Sequence, residues 1–196
     1  MDTLAHRIVR AITLEARLYE EVEADPGALS QAAAVVILSS VAAGIGTLGP
    51  GIGLAGLFWG TVATLIGWVA WAFLIYFVGA KLLPEPQTHS DLGELLRVLG
   101  FSSAPGLFRI FGVFPALRTP AMVIASLWML AAMVVAVRQA LDYTHTPRAI
   151  AVCAVGWLIQ WMLIVTILWM SGLLTVPPAP PHYPLAPGPH ATSLGR

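Results

Sequence analysis

From Ile52 to Ala80 the chain runs without a single charged side chain. A helix needs about 20 apolar residues to cross the roughly 30 Å hydrocarbon core of a bilayer, and this run is longer than that. Beyond it lies a polar island, Leu82 to Arg97, carrying Glu85, His89, Asp91, Glu94 and Arg97. Long apolar runs then resume from Phe101 to Val176. The island is expected to sit at a water-facing membrane surface, and every other segment takes its place from there. Only 10% of the 196 residues are charged, whereas about 25% is usual for a soluble domain. A mean hydropathy of +0.81 points the same way, to an integral membrane protein. Net charge is zero, so no global field attracts nucleic acid.

Asp2 to Glu23 has an apolar stripe (Leu4, Ile8, Ile12, Ala16, Tyr19) at helical spacing and reads as one amphipathic helix. It is expected to lie in the membrane interface, apolar face down, or to bind a partner. Its Glu-rich end makes a signal peptide unexpected. Asp25-Pro26-Gly27 ends it. Ser30 can cap a first span, Gln31 to Leu48, which the turn Thr47 to Gly51 joins to the second span, Ile52 to Ala80. Gly51 to Gly56 spells G-x-G-x-x-G, but no strand precedes it and no polar pocket can form there. Gly49, Gly53, Gly56 and Gly60 read instead as a small-residue face that lets helices approach closely in lipid. Trp59 and Tyr76 suit the interfaces, whereas Trp68 and Trp71 are expected to pack inside the bundle.

The third span, Phe101 to Leu117, holds Pro105, Gly106, Arg109, Gly112 and Pro115. An arginine at mid-membrane costs roughly 2.5–3.5 kcal/mol, and each large apolar residue returns about 0.3–0.6 kcal/mol. The balance is near zero, so the segment is either a kinked full span or a re-entrant one buried in protein. Pro120 to Val137, between Arg118 and Arg138, is the fourth span; Ala149 to Val176, uncharged, is the fifth. The Pro-rich stretch Pro177 to Arg196 reads as a disordered tail. The expected domains are therefore an N-terminal helix (1–29), a membrane domain (30–176) and a tail (177–196).

With five spans, Arg7, Arg10, Arg17, Lys81, Arg97, Arg138 and Arg148 face one side and only Arg118 and Arg196 the other. That places the N-terminus in the cytoplasm and the tail outside. With four spans the balance is as lopsided, with Arg138 and Arg148 alone outside, so charge does not choose. Lys81 is the only lysine against many arginines, a usage that suits a GC-rich bacterium and its cytoplasmic membrane.

Leu95-Leu96-Arg97-Val98-Leu99-Gly100-Phe101-Ser102-Ser103-Ala104-Pro105 follows the polar connection, then come a hydrophobic segment and a Trp-bearing span. Thr146-Pro147-Arg148-Ala149 leads into the last span. From about Gln31 to Val176 this pattern resembles the Yip1 family. The resemblance implies five membrane-spanning helices, a cytoplasmic N-terminus and an opposite C-terminus. Eukaryotic members are associated with Rab GTPases, but the Asp-Leu-Tyr-Gly-Pro motif is absent, with only Leu18-Tyr19-Glu20 in its place. The Rab role is therefore not carried over.

Glu85, Asp91, Glu94 and His89 lack the fixed spacing of a metal motif and read as a solvated loop. Ser102 and Ser103 have no histidine or acid at catalytic spacing; their hydroxyls are expected to satisfy backbone groups near Pro105. Cys153 reads as a small core residue. The one candidate polar cluster joins Arg109 or Arg97 to Glu94 or Asp142, with Arg138 competing for the same acids. No metal, cofactor or catalytic residue is expected. The chain is expected to be an all-α membrane bundle that organises its bilayer, self-associates or binds another membrane protein. A small channel or carrier using Arg109 is the alternative.

Overall fold

The structure, a computed structural model, describes residues 3–47, 53–88 and 90–171. The Gly49–Gly51 turn, His89 and the tail with its His182 and His190 lie outside them. Two units are distinguished, residues 1–160 and 161–196, and the account below concerns the first.

Every element among the described residues is helical. Helices α1 (Leu4–Ile12) and α2 (Ala16–Ala24) come first, followed by α3 (Ala28–Thr47) and α4 (Leu54–Tyr76), which ends in a wider π turn, Phe77–Leu82. Helix α5 (Leu92–Phe101) leads into a 3₁₀ helix, Ala104–Val113, and a further 3₁₀ turn, Pro115–Leu117. Helices α6 (Arg118–Ala140) and α7 (Thr146–Met170) complete the order. Four helices are long and apolar enough to cross a membrane: Ala28–Thr47, Leu54–Leu82, Pro115–Ala140 and Thr146–Met170.

The N-terminal segment is a hairpin and not the single helix expected. Leu14 adopts a left-handed φ of 59°, and the Thr13 hydroxyl donates to the Arg10 carbonyl at 3.0 Å. Arg10 then reaches across the turn to Glu15 at 2.9 Å and Glu21 at 2.6 Å, holding its guanidinium firmly protonated. The fold-back has a hydrophobic cause. One straight helix of this length would carry one end away from the bundle. The hairpin buries Ala11 of α1 together with Leu18, Tyr19 and Val22 of α2. Trp128 of α6 donates to the carbonyl of Ile12 at 2.9 Å, satisfying an orphan group at the end of α1. The same indole stacks on Phe108 with centroids 5.3 Å apart.

Helix α3 begins two residues before the expected cap. Ser30 lies inside it, its hydroxyl donating to the Gly27 carbonyl at 3.3 Å. The polar island offered Ser90 or Asp91 as the cap of a short helix, and Asp91 takes that role for α5, in a reciprocal box with Glu94 (2.8 Å in each direction). Arg118 and Arg138 fall within α6 and do not bound it.

The expected third span breaks at Ser102-Ser103 and continues as 3₁₀ helix. Pro105 has no N–H to give an α-helical bond, so the chain changes pitch there. The hydroxyls of Ser102 and Ser103 donate to the carbonyls of Leu99 and Gly100 at 2.8 and 2.6 Å. A 3₁₀ helix is also slimmer than an α-helix, and the slot between α3 and α6 is tight. A Cβ on Gly100 would stand 2.6 Å from the Ala32 side chain, and one on Gly112 would stand 2.7 Å from the Gly46 carbonyl. A Cβ on Gly106 would collide with Ser39, and one on Gly46 with the Arg109 carbonyl. These meetings give direction as well as closeness. Positions 32, 39 and 46 of α3 meet 100, 106 and 112 in that order, so the two segments run side by side the same way. The contact extends along about 21 Å of α3 at 1.5 Å per residue.

Candidate functional site

The polar residues gather where α2, α5 and the connections after α4 and α6 meet. Arg97, 9% exposed, donates through Nε to the carbonyls of Val22 at 3.0 Å and Glu23 at 3.1 Å. Its Nη2 also bonds the Glu23 carbonyl. The guanidinium thereby caps the C-terminal end of α2, where carbonyls lack helical partners and the helix dipole favours a cation. Glu23 itself is pushed up to about 7, chiefly by burial, then by the neighbouring charges of Glu94 and Asp142. Arg7 ties the hairpin to α3, donating to Gln31 at 3.1 Å and Asp25 at 2.9 Å. Gln139 of α6 bonds Glu20 at 2.8 Å.

A second network surrounds Glu85. Read from the sequence as part of a solvated loop, it is buried, at 8% exposed. Its carboxylate accepts from the Thr144 amide at 3.3 Å, the Thr144 hydroxyl at 3.2 Å, Arg148 at 3.1 Å and the Gln87 side chain. Burial alone would raise its pKa, but the Thr144 and Arg148 contacts outweigh that and hold the carboxyl below its ordinary value. Beside it, the Tyr143 hydroxyl lies 2.9 Å from the Gly79 carbonyl and 2.8 Å from that of Leu83. Gly79 lies in the π turn and Leu83 directly after it, and the single Tyr143 O–H is shared between their carbonyls. Burial pushes that phenol up to about 12.

The five residues proposed as a polar cluster take other partners. Arg97 caps α2, and Glu94 completes the α5 cap. Arg138 donates to the carbonyls of Tyr143 and Thr144, both at 3.3 Å, and to the Thr146 hydroxyl at 3.2 Å. Asp142 sits at a turn with φ 53°, its carbonyl accepting from Gln87 at 3.2 Å. Arg109 lies apart, on the 3₁₀ helix, donating to the Ser126 hydroxyl of α6 at 3.0 Å. Ser126 belongs to a stretch apolar and long enough to cross a membrane, and Arg109 lies beside it. Glu85, Thr144 and Arg148 escaped the sequence reading. The available signal was an acid between two prolines after one span and an arginine after a proline before another. Among the described residues, no group of three or more His, Cys, Asp or Glu side chains could hold a metal ion.

Apolar helices of membrane length, tied together at one end by buried polar caps, define a multi-pass helical membrane protein. The Yip1 domain matches residues 11–175, and the chain belongs to that family. No curated protein and no solved structure matches it significantly.

Proposed function

We infer that this is a non-enzymatic membrane protein with five crossings and a cytoplasmic N-terminus, in a bacterial cytoplasmic membrane, which binds a helix of another membrane protein or of a second copy. The parallel course of α3 and the 3₁₀ segment supports the fifth crossing. Ten residues of 3₁₀ helix rise about 20 Å beside α3, which is itself long enough to cross a bilayer. The basic residues favour the cytoplasmic N-terminus in the same way.

The observation that carries the binding role is one face of α4. Gly53, Gly60 and Gly67 recur every seven residues, and a Cβ on any of them would meet nothing within 4 Å. Glycines in close contact, by contrast (Gly44, Gly46, Gly79, Gly100, Gly106 and Gly112 among them), are met from within the chain. In lipid, small residues on a helix face gain their value by letting a second backbone approach. The partners of the polar residues, caps and carbonyls, support a scaffold role rather than chemistry. Gly60→Leu and Gly67→Leu fill the α4 face without touching the chain's own packing, so they test the reading. In-membrane cross-linking from a cysteine at Ala63 is expected to trap a protein adduct that both variants lose. A wild-type protein that cross-links only to lipid overturns it.

A further inference from the structure

Arg109 is a half-buried charge to which the fold offers little. Its Nη2 reaches Ser126, whose own hydroxyl donates to the Met122 carbonyl at 2.7 Å, but its Nε is buried with no acceptor. Among the described residues no acid pairs with it. Beside it is a cavity of ≈270 Å³ that Trp68, Trp71, Ser102 and Met133 also line. Both indole N–H groups are buried and lack acceptors. The Ser102 and Ser103 hydroxyls are already committed to carbonyls. The unspent protons here are therefore N–H donors beside a cation, while the serine hydroxyls keep only their lone pairs.

The cavity adjoins a larger groove of ≈980 Å³ between α6 and α7, to which Arg109, Ser126, Leu130 and Met133 also contribute. Beyond Arg109 and Ser126 it is apolar, lined by residues such as Leu127, Ile150 and Trp157, all more than half exposed. A polar end with a cation and unspent N–H donors thus continues into an exposed apolar trough.

The geometry points to a binding site for an anionic acyl lipid, its acid head on Arg109, Trp68 and Trp71 and its chain in the groove between α6 and α7. A guanidinium and a carboxylate or phosphate match in both charge and planar donor geometry. Each also cancels the other's cost of leaving water, which explains how an arginine is tolerated beside an apolar span. A neutral acyl chain fills the groove and leaves the donors unmet. The site stands whether or not the α4 glycine face finds a partner.

Native mass spectrometry of the detergent-purified full chain, titrated with palmitate, phosphatidic acid and methyl palmitate, tests this. One acid-headed adduct per chain is expected. Retention of palmitate or of phosphatidic acid identifies the head as carboxylate or phosphate, and either supports the site. Arg109→Gln is expected to weaken retention about tenfold or more, as loss of a charge-assisted contact does. Trp71→Phe, which keeps an aromatic ring but removes the indole N–H donor, is expected to weaken it about threefold. Should Arg109→Gln fail to purify, Trp71→Phe decides alone. Methyl palmitate held as tightly as palmitate, no adduct from any of the three, or an unchanged Trp71→Phe overturns the proposal.

Discussion

Gly46→Ala adds one methyl group where α3 faces the 3₁₀ helix, and the structure leaves no room for it. The new Cβ would collide with the Arg109 carbonyl and stand 3.2 Å from Cε of Met122. The methionine end can swing aside, but the carbonyl is backbone and moves only if the two segments separate. Overpacking of this kind costs about 1–3 kcal/mol. Gly60→Ala, on the open face of α4, is the control: the helix gains up to about 1 kcal/mol of propensity and meets nothing. Reversible unfolding in mixed micelles, titrated with dodecyl sulfate and followed by tryptophan fluorescence, is expected to separate the two by at least 1 kcal/mol. Gly112→Ala opposes the same contact from the other side, 2.7 Å from the Gly46 carbonyl. Because either methyl forces the same separation, the double variant is expected to lose less than the sum of the singles. Equal stability of Gly46→Ala and Gly60→Ala would refute the reasoning, since the parallel packing then would not be tight.

Tyr143→Phe removes the single O–H that the Gly79 and Leu83 carbonyls share and is expected to cost about 1–3 kcal/mol in the same assay. Arg97→Ala uncaps α2, so hydrogen exchange across α1 and α2 is expected to quicken while α6 amides hold. Glu23 titrates near 7 in the fold, above its ordinary value, because burial and nearby acids disfavour its charge. The folded state then holds the proton more tightly, so its contribution is full below the ordinary carboxyl range and is lost as pH rises to about 7. Unfolding measured across that window is expected to show stability falling with pH in the wild type and a flatter profile in Glu23→Gln.

Apolar periods and charge gaps made the four long helices legible, because crossing a bilayer is a demand that composition alone must meet. A cap for α5 at Ser90 or Asp91 was legible for a related reason: a cap and the helix it starts are neighbours in sequence. Contacts between distant positions were not. Nothing near Glu85 announces Arg148, and nothing near Leu14 announces that Val22 and Ala11 must both reach the core. The segment around Pro105 and Arg109 lies between these cases. Its prolines and glycines signalled an irregular span, but only the closeness of Gly46, Gly106 and Gly112 accounts for a slim 3₁₀ helix there. Arg109 was legible as unusual, while the indoles of Trp68 and Trp71 beside it were not.

Where the C-terminus emerges tests the five-crossing account most directly. Alkaline phosphatase fused after Arg196 is expected to be active and a fluorescent protein at the same place dark, as for a tail outside the cytoplasm. The opposite pair of results, a bright fluorescent protein and inactive phosphatase, contradicts a third crossing by the 3₁₀ segment.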